Sequence, residues 1–254
     1  MRGYLRFGWL VLASLGVGIP MALVAYFPCL LISLGIPEFR AHADRILRKS
    51  VDLMLRTQSW LRFETADFER ALAEARAVAA RRGTGVLLVA NHRSHLDMFL
   101  LLARVAGIRV LAKSGLFAVP FLGVIMWTSR QIPVRRRDLR AFVAAMDVIG
   151  ERLAAGEVVH VFPEMTRAEP GFPGVAPFNP APFLVAQKIG APILPFVIRG
   201  TSAIWPKGSF AIRTGSAVVD PLAPIVEPAA FSGAKELAEE CRAAIEAAYR
   251  GGRA

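Results

Sequence analysis

From Phe7 to Pro37 the chain carries no charged residue, a run of 31 positions. Drawn out as helix, that run exceeds the roughly 20 apolar residues needed to span the hydrocarbon of a bilayer. Pro20, Pro28 and Pro37 interrupt it, and Gly16, Gly18 and Gly35 loosen it; proline inside a helix bends or breaks it. One tilted, kinked span and a re-entrant helical hairpin with both ends on one side satisfy the pattern equally. A cleaved leader fits less well. Arg2 and Arg6 give a basic start, but the stretch outruns the roughly 7–15 residue apolar core of a leader. Residues Ala25 to Cys29 also make a poor cleavage site. The segment therefore reads as a membrane anchor.

Composition points the same way. Hydrophobic residues make up 54% of the chain and the net charge is +11, with a mean hydropathy of +0.44. A basic, strongly apolar chain favours an acidic lipid surface or a phosphorylated small molecule as partner. Nucleic acid is excluded as a partner, because aromatic residues are not interleaved with the basic ones as a stacking platform requires. Cys29 and Cys241 lie far apart, so there is no disulfide framework and no cysteine metal site. That pattern suits a reducing compartment.

After the anchor, His42 to Phe63 reads as an amphipathic helix, suited either to a membrane interface or to packing on the domain that follows. Asp67 to Arg82 reads as a second helix. Short apolar strands are then expected at Val86–Ala90, Arg109–Ala112, Gln131–Val134, Val158–Phe162, Ile193–Ile198 and Phe210–Val219. Helices are expected at Ser94–Val105, Asp138–Ala155, Phe178–Ile189 and Lys235–Arg250. Leu116–Trp127, free of charge and too short to span a membrane, reads as an apolar helical segment, either a buried helix or part of an apolar channel or membrane-facing wall. Alternating strands and helices predict an α/β fold: a mostly parallel central sheet flanked by helices, with the N-terminal apolar helical anchor. The expected division is an anchor with its amphipathic helix over 1–63 and one catalytic domain over 64–254.

The chemistry concentrates in Asn91-His92-Arg93-Ser94-His95-Leu96-Asp97, between a strand and a helix. A histidine with a carboxylate in reach is a general-base pair: the imidazole takes a proton, and the carboxylate fixes its tautomer and stabilises the imidazolium. Ser94 and Asp97 also fit a capping box, and a two-oxygen carboxylate has room for both roles. A second constellation, Phe162-Pro163-Glu164-Met165-Thr166-Arg167, again follows a strand. The third runs from Lys113 to Arg135-Arg136-Arg137, where arginine offers bidentate and lysine point-charge contacts to phosphate. Arg135 and Arg137 fit a solvated basic turn or a lipid-headgroup contact equally well. His160, inside an apolar strand, reads as a satisfied core histidine. A serine hydrolase is excluded by the lack of a G-x-S-x-G elbow.

Four blocks occur in order: His92-x-x-x-x-Asp97, the Lys113 to Arg136 segment, Phe162 to Arg167, and Ala191-Pro192-Ile193-Leu194-Pro195. Together they resemble the blocks of the glycerolipid acyltransferases, typified by 1-acylglycerol-3-phosphate (lysophosphatidic acid) acyltransferase. The resemblance implies that His92 is the catalytic base and Asp97 its partner. It implies that Lys113, Arg136, Glu164, Thr166 and Arg167 bind the substrate phosphate and acceptor. It implies direct transfer from acyl-CoA or acyl-carrier protein to a lysophospholipid hydroxyl, with no metal, no bound cofactor and no acyl-enzyme. A thioester donor implies a reducing, cytoplasm-facing site, and the apolar N-terminus places the enzyme at the cell membrane as an integral or monotopic protein. Two departures bear on the acceptor. Met165 stands where the family has glycine, which implies a reshaped loop, and Arg135 stands where an aspartate often precedes the second-block arginine. A lyso-aminolipid or other hydroxylated acceptor, and a basic membrane-binding protein without catalysis, are the competing readings.

Overall fold

The structure is a computed structural model that describes residues 1–65, 67–135 and 137–252. Arg136, expected to bind phosphate, lies outside the described residues. The chain forms two compact units. The first comprises Met1–Glu64, Arg93–Gly107 and Arg199–Val218, and the second Thr65–His92, Ile108–Ile198 and Val219–Ala254.

In the first unit, α1 (Arg2–Ala13), α2 (Ile19–Met21) and α3 (Phe27–Ile32) are joined by π-helical turns at Ser14–Gly18 and Ala22–Tyr26. They form one continuous helix of 31 residues, Arg2–Ile32, with a mean hydropathy of 2.1 over its most apolar window. At 1.5 Å per residue it is about 46 Å long, enough to cross a bilayer. Pro20 and Pro28 each follow a π-turn by two residues, where the wider turn absorbs the missing N–H, and Pro37 lies in the turn beyond the helix. Residues 7–32 therefore run on as one helix, and the chain reverses over residues 33–38. A hairpin does form, one element later: α4 (Phe39–Arg56) returns along the long helix. Ser14 Oγ lies 3.1 Å from Met54 Sδ, Ser50 Oγ 3.4 Å from Met21 Sδ, and Tyr26 is buried beside Ala22 and Ala43. The amphipathic helix ends at Arg56, not Phe63. Leu61–Glu64 is instead β1, paired in parallel with β7 (Gly215–Pro221) through Leu61 opposite Gly215. The unit also holds α6 (Leu96–Leu102) and the short α10 (Thr201–Ile204).

The second unit supplies α5 (Phe68–Arg81), β2 (Val86–Ala90), β3 (Arg109–Lys113), α7 (Leu122–Thr128), β4 (Ile132–Val134), α8 (Leu139–Ala154) and β5 (Val158–Val161). It continues through α9 (Ala181–Ile189) and β6 (Ile193–Arg199) to α11 (Ala234–Gly251). The seven strands run in the order β1-β7-β6-β2-β5-β3-β4, and the pairs β2–β5, β2–β6, β3–β5 and β3–β4 are all parallel. Every residue of β2 and β5 is buried, as continuous apolar runs in a parallel sheet require. Gly85 leads into β2 where a Cβ would lie 1.9 Å from the Glu157 carbonyl oxygen, so only glycine fits. A core of Leu87, Val89, Val159, Val161 and Ile193 packs against Ile149, Phe183 and Ile245 from α8, α9 and α11. Asp138 caps α8 by accepting from the Ala141 N–H at 3.0 Å.

The expected apolar helix over Leu116–Trp127 is broken in two. Ser114–Ala118 is a 3₁₀ turn, and α7 begins only at Leu122, after Phe121 at φ 60°. Most of its large side chains are exposed, so the buried-helix reading does not hold.

Candidate active site

The chain leaves β2 towards β3 on one side and leaves β5 towards β6 on the other. The C-terminal ends of these adjacent strands thus form a switch point, where open parallel sheets place their sites. Asn91, directly after β2, is buried. Its side-chain amide donates to the Ile198 carbonyl and its Oδ1 accepts the Ile198 N–H, both at 2.8 Å, extending the β2–β6 ladder by one side chain. That pins the next residue, His92.

His92 is held by the third block and the residue that follows it on three counts. Its N–H donates to Glu164 Oε1 at 2.7 Å, and its carbonyl accepts the Ala168 N–H at 2.9 Å. Its ring stacks on Phe162 with centroids 3.8 Å apart and planes at 11°. The other carboxylate oxygen of Glu164 accepts the Ala176 N–H at 3.0 Å. The buried Glu164 therefore directs both oxygens at backbone N–H groups and ties three loop segments together. An imidazolium over the Phe162 face would gain cation–π attraction.

Met165 adopts φ 57°, the left-handed conformation that glycine takes without strain. The loop backbone thus keeps a turn that suits glycine, and the Met165 side chain packs against the core of the second unit. The methionine is thus accommodated beside the core with its backbone in the left-handed turn. Thr166 is exposed and Arg167 half-buried on the same loop. Lys113 is exposed at the C-terminal end of β3, on the same sheet edge.

Asp97 lies in the first turn of α6 in the other unit, fully buried. Its Oδ2 accepts the N–H groups of Arg93 and Ser94 at 2.7 and 2.8 Å, the reach back expected of a capping box. Ser94 Oγ donates to the Trp205 carbonyl at 2.7 Å, which fastens the loop to α10. The N–H groups of residues 92, 93 and 94 are thus all engaged by carboxylates.

Two contributors escaped the sequence reading of the site. Phe162 was visible only as part of a motif, and Asn91 only as a neighbour of His92; a buried strand ending on asparagine was the available signal. His160, by contrast, is the core histidine expected. It is fully buried, its Nδ1–H donates to the Leu88 carbonyl at 3.1 Å, and its ring meets Phe162 edge-on at 4.3 Å. Burial, and secondarily the nearby charge of His92, push its pKa down to about 3 against the weaker opposing effect of the Leu88 carbonyl.

An α/β sheet that presents a clamped histidine at its switch point, with arginine on the facing loop, defines a class, and the family follows from the sequence match. The model of the family described as Acyltransferase matches residues 73–199, and the chain belongs to that family. Among its relatives, the 1-acyl-sn-glycerol-3-phosphate acyltransferase BAT2, chloroplastic, of Brassica napus is 35% identical over 129 residues, 51% of this chain and 37% of that protein. The 1-acyl-sn-glycerol-3-phosphate acyltransferase of Saccharomyces cerevisiae is 32% identical over 142 residues, 55% of this chain and 46% of that protein. The chain thus matches less than half the length of either relative. The crystal structure of the 1-acyl-sn-glycerophosphate (LPA) acyltransferase, PlsC, from Thermotoga maritima shares the fold, with a TM-score of 0.76 over 97% of this chain and 94% of that one at 24% identity.

Proposed function

We propose that the protein is a membrane-bound O-acyltransferase that moves a fatty acyl chain from acyl-CoA or acyl-carrier protein to the free hydroxyl of 1-acylglycerol-3-phosphate, giving phosphatidic acid. The observation that carries this reading is the three-point hold on His92, which leaves its imidazole as a fixed base at the sheet edge. The His92 ring takes the hydroxyl proton as the acceptor oxygen attacks the thioester carbonyl. The C–S bond then breaks, and the same ring returns the proton to the leaving thiolate. Asp97, five residues on, fixes the tautomer and stabilises the imidazolium. Arg167 and Arg136, with Lys113, hold the acceptor phosphate and orient the hydroxyl, so that part of the barrier is met by positioning. Because the loop N–H groups are already engaged, these cations also offer the charge that stabilises the tetrahedral oxyanion.

Glu164 supports the reaction through the His92 backbone in this scheme, and does not touch the acceptor. The packing of Met165 against the core favours retention of the phosphate-bearing acceptor over a lyso-aminolipid.

The test is an acceptor panel with labelled acyl-CoA and acyl-carrier protein as donors. 1-Acylglycerol-3-phosphate should be acylated, and the same lipid without its phosphate should be poor. His92→Ala should cost roughly 10²–10⁴ in kcat while vesicle binding and the unfolding midpoint stay near wild type. Full turnover by that variant would end this reading. Transfer only to a lyso-aminolipid would keep the mechanism and replace the acceptor.

A further inference from the structure

The second unit exposes an apolar surface that its own interior does not explain. Phe121 is 66% exposed, Trp127 59% and Leu139 76%, with Leu122 and Val124 also open on α7. Trp127 also lines a cavity of about 360 Å³ together with Ser114, Phe117, Arg135 and Ala141, so the 3₁₀ turn, α7 and the start of α8 meet beside these exposed groups. A monomer that ends at water has no use for so many large apolar groups in one place. The backbone adds an independent sign. Phe121 holds φ 60° and ψ −51°, a strained conformation for an aromatic residue, and its ring gains little burial in return; strain of this kind persists where function uses it.

The charge around the patch selects the occupant. Between Ile108 and Met146 the only acidic residue is Asp138, against Arg109, Lys113, Arg130, Arg135, Arg136, Arg137 and Arg140. Asp138 is occupied by its cap and Arg109 is buried with Glu157. Lys113, Arg130, Arg135, Arg137 and Arg140 are exposed. Apolar side chains with a tryptophan among them, rimmed by cations, match the boundary between acyl chains and anionic headgroups.

We propose that residues 116–143 form a second membrane-docking surface, which inserts Phe121 and α7 into the headgroup region of an anionic bilayer. This surface is distinct from the Arg2–Ile32 helix, and its test needs no acyl transfer, so it stands or falls apart from the reading of His92.

The experiment uses the full chain with Cys29→Ser, leaving only the buried Cys241. Val124→Cys, Leu122→Cys and, as a control on the exposed side of α8, Glu151→Cys each carry an environment-sensitive fluorophore. Each protein is reconstituted into phosphatidylcholine–phosphatidylglycerol vesicles. Labels at 122 and 124 should be quenched several-fold more strongly than the label at 151 by lipids spin-labelled near the headgroup, and shielded from iodide. Both effects should weaken when phosphatidylglycerol is omitted. Equal iodide access at 124 and 151 with no lipid quenching would overturn the proposal. Iodide shielding without lipid quenching, together with 124-to-124 cross-links, would overturn it in favour of a second copy of the chain.

Discussion

His160 shows how one buried ring can set the acid limit of this fold. Its folded-state pKa lies near 3, well below the ordinary value of 6.5, so the unfolded chain binds the proton more readily. Stability from this residue is therefore complete above about pH 6.5 and is lost as the pH falls towards 3, at up to ~1.4 kcal/mol per pH unit. Between pH 7 and pH 5 the wild type should lose ~2 kcal/mol through this group alone. His160→Leu should lose that much less over the same interval, read from urea midpoints at the two pH values. Parallel pH profiles for the two proteins would refute the assignment. At this scale the candidates His92 and Asp97 are legible because both belong to one short motif, and the burial of His160 because its strand is apolar throughout. The contact of Glu164 is not, because its bond to the His92 N–H spans 72 residues of sequence and no local pattern reports which oxygen meets which donor.

Elements were legible where their periodicity was decided locally. β2 and β5 are continuous apolar runs, and α8 has an aspartate cap and a stop at Gly156, with φ 78°. β1 was hidden because its four residues follow an amphipathic helix and their pairing with β7 is set by tertiary contact. The long helix absorbed its prolines as π-turns, a choice that neighbouring packing makes and composition does not. Between elements, the entry to β3 depends on a buried charge. Arg109 Nε donates to Glu157 Oε2 at 2.6 Å, just before β5, and Arg109 Nη1 donates to the Ser129 carbonyl at 3.0 Å. Removing one partner strands the other charge in the interior. Glu157→Leu should thus destabilise the chain by about 3 kcal/mol. Adding Arg109→Met should recover most of that loss, because a paired replacement leaves no orphan charge. A double variant no more stable than the single one, by chemical denaturation, would show that the arginine itself is needed for packing.

For the whole molecule, the question is whether the apolar N-terminus is an attachment or part of the fold. The length of the apolar run favours an anchor over a leader, and the contacts of the helix are a second, independent ground. Phe7 packs edge-on against Trp205 and Phe210 at 5.8 and 5.1 Å, and the Ile212 N–H donates to the Gly3 carbonyl at 3.1 Å. Further along the helix, Trp9 Nε1 donates to the Thr57 carbonyl at 3.4 Å, and Tyr26 is buried against α4. A leader destined for removal has no reason to supply packing to residues 200 positions away. Each buried large side chain contributes roughly 1.5–3 kcal/mol, so removing the helix costs a sizeable part of a typical 5–15 kcal/mol margin. A chain lacking residues 1–32 should therefore fail to unfold cooperatively and should aggregate even in detergent, where membrane insertion is not at issue. A truncated protein that is monomeric and melts within a few degrees of the full chain would show the helix to be a tether only. Phe7→Ala in the full chain separates the two roles: it leaves an apolar helix long enough to cross a bilayer, so vesicle binding should persist while the melting temperature falls.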